Sequence, residues 1–222
     1  MTTKNNRFKY AIISSVCLAV FCVFMFTFLL IKYKINGSFE VDDYFIKFSS
    51  KIKSDGLTKF LKMVTHFGSI LTIAILSAIL FLICKNKTIK IFMVINVGFV
   101  SVFCLIIKHI VQRPRPEGIA LIEETGFSFP SAHTMGSVVF YGFLIFLICR
   151  YFKVKPLKII LSIIFMLVPL LISYTRIYLG VHFASDVMAG MLSGIAYLSV
   201  AIILFFMLEN KLNNKRGNYE KK

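Results

Sequence analysis

Long apolar runs, separated by short polar segments, dominate the pattern of this 222-residue chain. Six runs can be drawn as membrane-spanning helices: residues 10–31, 60–84, 91–107, 134–149, 159–174 and 187–208. A bilayer core of about 30 Å needs roughly 20 helical residues, so the third, fourth and fifth runs must borrow residues from their flanks. The pattern predicts an all-α, polytopic membrane protein with six transmembrane helices.

The segment 41–57, between the first two runs, mixes apolar residues with lysines and aspartates at a helical spacing. Such a pattern is typical of a short amphipathic helix in the membrane interface, here on the extracytoplasmic side. We expect it to cover the helical bundle, in preference to a role in gathering lipid. The other predicted units are a tail at 1–9, a six-span domain at 10–208, an extracytoplasmic loop at 112–130 and a polar tail at 209–222.

The distribution of basic residues predicts the orientation. The chain carries 26 Lys and Arg against 10 Asp and Glu, a formal net charge of +16. With both termini in the cytoplasm, the tails and inner loops are rich in Lys and Arg, and their acidic residues are Glu209 and Glu220. The positive-inside rule favours this arrangement. The positive charge is then a topology signal, and we predict no nucleic-acid partner, since the chain has no basic arm, RNA-binding motif or zinc-type spacing.

Several polar residues stand at span ends that share one side of the membrane. Lys108 ends the third span, and His133 opens the fourth. Arg176 follows the fifth span, and Asp186 opens the sixth. Counting from a cytoplasmic start, all four ends face outward. Topology alone therefore gathers these side chains in one layer at the extracytoplasmic surface.

The cations of this layer predict an anion site. Lys108, Arg115 and Arg176 repel one another unless a negative ligand compensates, and the planar fork of arginine matches phosphate oxygens. A helix start at Pro130 would leave the next backbone N–H groups free to face a phosphate. Those groups belong to Ser131, Ala132 and His133.

Imidazole and carboxylate groups in the same layer could cleave a phosphate ester. A neutral imidazole can attack phosphorus, and a carboxylate on its other nitrogen fixes the tautomer. His182 and Asp186 are four residues apart, a spacing that brings them into contact on a helix. His133, when protonated, can donate to the leaving oxygen. A zinc site made of these three residues is the alternative, but the neighbouring cations disfavour a divalent ion, so we predict no metal and no cofactor.

Other residues near these positions have simpler interpretations. We expect Arg113 to be an anchor at the membrane surface, and Glu117, Glu123 and Glu124 to be solvated loop residues, with a lid as the less favoured role. Gly190 and Gly194 predict a close helix contact. The five cysteines fall inside apolar runs and are interpreted as small buried residues rather than disulfides or ligands.

Three stretches together match a known set of motifs. Lys108 with six residues before Arg115-Pro116 resembles KxxxxxxRP, and Pro130-Ser131-Ala132-His133 resembles PSGH. Thr175-Arg176-x5-His182-x3-Asp186 resembles SRxxxxxHxxxD. In this order and spacing the chain resembles the type 2 phosphatidic acid phosphatase superfamily, and the six-span layout extends the resemblance over nearly the whole sequence. The departures are Ala132 in place of glycine and Thr175 in place of serine.

The resemblance implies an integral membrane lipid phosphatase with an outward-facing, metal-independent site. By position, His182 would be the phosphorylated nucleophile, Asp186 its orienting partner and His133 the acid. The phosphate binders would be Lys108, Arg115, Ser131, Ala132 and Arg176. The expected substrate is a lipid phosphate in the bilayer, with undecaprenyl pyrophosphate favoured over phosphatidylglycerophosphate and phosphatidate. A non-catalytic protein that binds or translocates phospholipid is the alternative.

Overall fold

The computed structural model describes residues 2–219, and within that range the chain forms eight α-helices. They are α1 (Thr2–Asn36), α2 (Glu40–Lys51), α3 (Asp55–Thr65), α4 (Ile70–Ile83), α5 (Lys87–Val111), α6 (Ala132–Tyr151), α7 (Lys155–Tyr178) and α8 (Ala184–Tyr219). A 3₁₀ turn, His66–Gly68, joins α3 to α4. The predicted all-α class is confirmed.

Five helical segments are long and apolar enough to cross a bilayer, and α3 with α4 provides a sixth crossing that is bent by 53°. The five segments are Ile12–Asn36, Lys87–Val111, Ala132–Tyr151, Lys155–Tyr178 and Ala184–Glu209. Many large apolar side chains on the outer faces of these helices are exposed, as expected of surfaces that face lipid. The prediction of six spans is confirmed when the bent pair is counted as one.

The second predicted span, 60–84, is broken rather than continuous. Ser69 begins α4 as its N-cap, and its hydroxyl accepts a hydrogen bond from the Thr72 N–H at 3.2 Å. In the preceding turn, a Cβ on Gly68 would lie 2.9 Å from the Ser137 hydroxyl, so the turn packs tightly against α6. The serine cap and this close approach bend a segment whose apolar pattern alone predicts a straight helix.

The predicted interfacial segment 41–57 is also divided. Its helix α2 ends at Lys51, and residues 55–57 belong to α3, whose N-cap Ser54 accepts a hydrogen bond from the Leu57 N–H at 3.4 Å. Helix α2 packs against α7 and α8, and Asp42 on its first turn is buried. The helix therefore covers the bundle, but it contributes a buried carboxylate that its amphipathic pattern does not predict.

Helix α6 is central and packs against both α7 and α8. Two glycines of α8 allow the close approach of α6. A Cβ on Gly190 would lie 2.8 Å from the Ser131 carbonyl oxygen, and a Cβ on Gly194 would lie 3.0 Å from Val138. The predicted close contact at Gly190 and Gly194 is therefore confirmed.

The three short apolar runs are extended by their polar flanks, as predicted. Helices α5, α6 and α7 include Lys108, His133 and Arg176 near the ends that face one another. The loop 112–131 joins α5 to α6, and residues 179–183 join α7 to α8 at the same end of the bundle. These two connections and the helix ends around them form the walls of the site.

Candidate active site

His182 lies in the turn between α7 and α8 and is 2% exposed. Its Nε2 is 3.2 Å from Nη1 of Arg115, a group that can only donate, so Nε2 holds a lone pair. The ring proton is then on Nδ1, which faces the Asp186 carboxylate at 3.5 Å and the Ser128 hydroxyl at 3.3 Å. Burial lowers the pKa of His182 to about 4, against the opposing effect of the nearby Asp186 carboxylate. The imidazole is therefore neutral near pH 7.

Asp186, in the first turn of α8, is fully buried. Its Oδ2 accepts hydrogen bonds from the Phe183 N–H at 2.9 Å and from the Ser128 hydroxyl. Its Oδ1 accepts one from Arg113 at 2.7 Å. The predicted contact between His182 and Asp186 forms, although His182 precedes α8 rather than lying on it. The carboxylate is held from several sides, and Oδ2 is the oxygen that faces the imidazole.

Arg115 ties the loop between α5 and α6 to the turn after α7. Its Nε and Nη2 donate to the carbonyl oxygens of Gly126 and Thr125, each at 3.0 Å. Its Nη1 donates to the Val181 carbonyl oxygen at 2.8 Å, beside the contact to His182. This predicted phosphate binder therefore lies directly at the proposed nucleophile.

Glu124 places a carboxylate between two of the predicted phosphate binders. Nη2 of Arg176 donates to Oε1, and Nη2 of Arg115 lies 3.6 Å from Oε2. Burial alone would raise the pKa of Glu124, but the charge and hydrogen bond of Arg176, together with the charge of Arg115, hold it below its usual range. The expectation of a solvated loop residue is wrong for Glu124, because the loop folds inward and brings this ionised group onto the cationic layer.

Arg176 and Lys108 also hold the walls of the site. Arg176 is fully buried, its Nη1 donates to the Thr65 hydroxyl at 2.8 Å, and its Nε has no hydrogen-bond partner among the described residues. Nζ of Lys108 donates to the Phe127 carbonyl oxygen and lies 3.4 Å from that of Ser128. Both cations are in the predicted layer, and both already contact protein oxygens.

The start of α6 differs from the expectation at Ser131. This residue is fully buried, and its N–H donates to the Asp186 carbonyl oxygen at 3.0 Å, so that N–H is not free to face phosphate. Its hydroxyl caps α6 and accepts from the Thr134 hydroxyl at 3.1 Å. The close approach of α8 explains this use of Ser131. Ala132 and His133 line the cavity of the site. Their N–H groups belong to the first turn of α6, where the helix provides no carbonyl acceptors for them.

Arg113, expected to be a surface anchor, is a buried part of the site. It is 2% exposed and forms ion pairs of 2.7 Å with both Asp42 and Asp186. The sequence does not reveal this position, because Asp42 lies 71 residues away on α2. Ser128, which contacts both His182 and Asp186, is a further residue of the site that the sequence pattern does not identify. For Arg113 the sequence does offer one signal, because Arg113-Pro114 repeats the motif pair Arg115-Pro116.

A cavity of about 460 Å³ begins at His182 and continues between α4, α5 and α6. Lys108, Arg115 and His133 line its polar end together with His182. Along α5 its lining extends from Lys108 to Met93, which at about 1.5 Å per residue is roughly 22 Å. The deeper lining is mostly apolar, with Asn96 and Ser101 of α5 as polar members, and includes Ile73, Val97, Val100, Val139, Phe140 and Phe143. The shape suits a ligand with one anionic end and a long apolar part.

These features define the class: a polytopic helical membrane protein with a cationic site, a buried imidazole–carboxylate pair and an apolar groove. The model of the PAP2 superfamily matches residues 71–210, a range that contains all three motifs, and the chain belongs to this superfamily. The resemblance to type 2 phosphatidic acid phosphatases is thereby confirmed, and with it the assignment to a family of membrane lipid phosphatases.

Two relatives match most of the chain. It is 28% identical over 184 residues to phosphatidylglycerophosphatase B of Bacillus subtilis (strain 168), an alignment that covers 78% of this chain and 84% of that protein. It is 27% identical over 191 residues to lipid A 4'-phosphatase of Bacteroides thetaiotaomicron, with 78% of this chain and 79% of that protein covered.

Two crystal structures share the fold. A transmembrane PAP2 type phosphatidylglycerolphosphate phosphatase from Bacillus subtilis matches with a TM-score of 0.74 and 24% identity, covering 87% of this chain and 96% of that one. LpxE of Aquifex aeolicus matches with a TM-score of 0.63 and 24% identity, covering 74% and 96%. These matches support the helical transmembrane fold.

Proposed function

We propose that this protein hydrolyses a phosphomonoester or pyrophosphate on a membrane lipid through a phosphohistidine at His182. The observation that carries the proposal is the geometry of this imidazole, whose Nδ1 faces Asp186 while Nε2 is beside Arg115 at the cavity. A neutral imidazole held in one tautomer is a competent nucleophile toward phosphorus. Binding alone does not require this arrangement, which disfavours the non-catalytic alternative.

In the first step Nε2 attacks the terminal phosphorus, and the bond from phosphorus to the leaving oxygen breaks. His133 gives its proton to that oxygen, which leaves as a lipid alcohol or, from a pyrophosphate, as a lipid monophosphate. Asp186 stabilises the positive charge that develops on His182. In the second step water attacks phosphorus and loses a proton to His133, and inorganic phosphate leaves with Nε2 restored.

The surrounding charges favour a reaction without a metal ion. Lys108, Arg115 and Arg176 supply the positive charge that the transition state needs, as preorganised cations do in other phosphoryl-transfer sites. We expect that a chelator leaves phosphate release unchanged. Activity that disappears with chelator and returns with zinc would instead support the site of His133, His182 and Asp186 as a metal site.

Undecaprenyl pyrophosphate is the substrate that we propose first, followed by phosphatidylglycerophosphate and phosphatidate. The groove extends roughly 22 Å along α5, whereas half of a core of about 30 Å is only about 15 Å. A single isoprenoid chain longer than one leaflet matches a single groove of this depth. Phosphatidylglycerophosphate comes next because one relative is named for that activity.

Phosphate release from these three lipids, measured side by side in the same detergent, tests the substrate proposal. We expect the highest kcat/KM with undecaprenyl pyrophosphate. A higher value with either diacyl lipid would overturn the preference while leaving the phosphatase activity itself in place.

We also propose that both termini are cytoplasmic and that the site faces the other side of the membrane, as the positive-inside rule predicts. Fluorescence of a green fluorescent protein fused after Lys222 tests this orientation, because that reporter folds in the cytoplasm. A fusion that is produced at normal levels but stays dark would contradict it.

Replacement of His182 by alanine tests the nucleophile. We expect phosphate release to fall by more than about a thousandfold, since no other group provides the attacking nitrogen. The matched control is His66→Ala, which removes an exposed imidazole and should leave the rate unchanged. Both variants are compared with the parent protein for thermal unfolding in detergent. A folded His182→Ala variant that keeps its turnover would overturn the mechanism.

A further inference from the structure

Arg113 connects the site to a helix that precedes the residues matched by the PAP2 family model. Its Nη1 donates to Oδ1 of Asp186 and to the Ser185 hydroxyl, each at 2.7 Å. Its Nη2 donates to Oδ2 of Asp42 at 2.7 Å. Asp42 belongs to α2, whereas the family match begins at residue 71. One guanidinium therefore bridges the proposed partner of the nucleophile and the N-terminal part of the chain.

Asp42 is held as firmly as the arginine. Its Oδ1 accepts from the Ser185 N–H at 2.8 Å, and its Oδ2 accepts from the Ser185 hydroxyl at 2.8 Å. Asp42 is 2% exposed. Its position is thus fixed by backbone and side-chain groups at the start of α8, the same turn that carries Asp186. Ser185 lies between the two ends of the bridge.

Aromatic rings enclose the guanidinium and keep water from it. The guanidinium carbon is 4.2 Å from the ring centre of Phe183, 4.7 Å from that of Tyr33 and 5.7 Å from that of Phe39. Such faces attract a cation, and their bulk lowers the local dielectric. The hydrogen bonds of Arg113 to the two carboxylates are therefore stronger and more directional than they would be at a surface.

The two oxygens of the Asp186 carboxylate have different partners in this geometry. Oδ1 is occupied by Arg113, so Oδ2 is left to face Nδ1 of His182. A guanidinium that were free to rotate could compete for Oδ2 or release Oδ1. Asp42 prevents this by holding the opposite side of the fork.

We propose that Arg113 is a positioning residue for Asp186 and that Asp42 of α2 locks it in place. The inference rests on the proposed role of His182. It makes α2, which precedes the residues matched by the family model, a functional part of the site rather than a cover alone. Neither Asp42 nor Arg113 lines the cavity, so their effect should appear in the chemical step and not in substrate binding.

Asp42→Asn is the first variant, with Asp43→Asn as its matched control, since Asp43 is the next residue on α2 and is exposed. We expect Asp42→Asn to lower kcat by about ten- to a hundredfold while KM stays within about twofold, as for other residues that orient a reacting group. Asp43→Asn should match the parent protein. An unchanged kcat in Asp42→Asn, or a change confined to KM, would overturn the proposal.

A double variant that combines Asp42→Asn with Arg113→Lys distinguishes a positioning role from an effect on general packing. A lysine keeps the charge but cannot bridge two carboxylates, so Arg113→Lys should also lower kcat at constant KM. Because both residues act through one bridge, adding Asp42→Asn to Arg113→Lys should lower kcat by no more than about a further twofold. Losses that multiply would show independent structural effects and overturn the proposal.

Ser185→Ala provides a milder disruption of the same bridge if Asp42→Asn does not fold. It should lower kcat severalfold at constant KM, and full kcat in the folded variant would contradict the proposal. His182→Ala is measured in the same series. Turnover in His182→Ala would mean that the proposed nucleophile is wrong, whereas an inactive His182→Ala beside a fully active Asp42→Asn would refute only the positioning role.

Discussion

At the scale of single residues, the contacts of Glu124 bear directly on substrate binding. Its carboxylate accepts from Arg176 and lies near Arg115, two groups that we expect to bind phosphate. A phosphate and this carboxylate cannot use the same guanidinium donors at once. A phosphate that binds the Nη2 groups of these arginines must displace Glu124, and the loss of the Glu124 contacts opposes binding in that mode.

Glu124→Gln should consequently lower KM by roughly three- to tenfold, an effect of about 1 kcal/mol that is reasonable for partly exposed ion pairs. Steady-state phosphate release gives KM directly. The matched control is Glu123→Gln, which removes the neighbouring exposed carboxylate and should change little. A KM that rises in Glu124→Gln would contradict this prediction and would mean that Glu124 orients the arginines for the substrate.

The residues that the sequence predicts best are those for which topology and spacing supply two independent constraints. Lys108, His133, Arg176 and Asp186 are all assigned to one end of the bundle before any contact is known. Arg113 and Glu124 are misinterpreted for a common reason. A charged residue near a membrane surface is usually solvated, and only the folded loop reveals that these two are covered.

At the scale of the secondary structure elements, the turn between α7 and α8 sets the position of His182. Gly180 in this turn has a φ of +70°, in the left-handed region that favours glycine. A Cβ there would also meet the loop above it, at 2.8 Å from the Ile119 carbonyl carbon and 3.2 Å from Cα of Ala120. The turn therefore needs glycine for both its conformation and its packing.

Gly180→Ala should shift the turn and lower kcat by at least about tenfold, with a loss of stability of roughly 2–4 kcal/mol from backbone strain and overpacking together. Gly118→Ala is the control, because Gly118 has a φ of +72° but nothing within 4 Å of a Cβ. It should lose only about 1–2 kcal/mol from the strained backbone and keep its kcat. Phosphate release and unfolding in detergent report both effects, and equal kcat in the two variants would refute the packing argument.

The break between α3 and α4 shows what apolar patterning leaves undetermined at this scale. The run 60–84 has the length and composition of a straight span, and hydropathy responds to composition alone. The bend depends on the cap that Ser69 forms and on the close approach of Gly68 to α6. Both are specific contacts, and hydropathy averaged over a stretch of residues does not detect them. The existence of the crossing was predictable, and its shape was not.

At the scale of the whole molecule, the contact between α6 and α8 holds the two halves of the site together. Helix α6 carries His133, and the first turn of α8 carries Asp186. The Ser131 N–H donates to the Asp186 carbonyl oxygen at 3.0 Å across this contact. Small residues at helix contacts in membranes allow this kind of backbone approach. The spacing of Gly190 and Gly194 predicted the contact, and the folded chain adds the hydrogen bond that it makes possible.

Gly190→Ala should separate the acid from the nucleophile without changing any polar group. The added Cβ would lie 2.8 Å from the Ser131 carbonyl oxygen and 3.1 Å from Cβ of Thr134, so α6 and α8 must move apart. We expect a loss of about 1–3 kcal/mol in stability and at least a tenfold lower kcat, because displacements near 1 Å strongly reduce catalysis. Gly98→Ala on α5 is the control, since nothing lies within 4 Å of its Cβ and alanine is the better helix former. A Gly190→Ala variant that unfolds more easily but retains the parent kcat would mean that this contact supports the fold without setting the distance between His133 and His182.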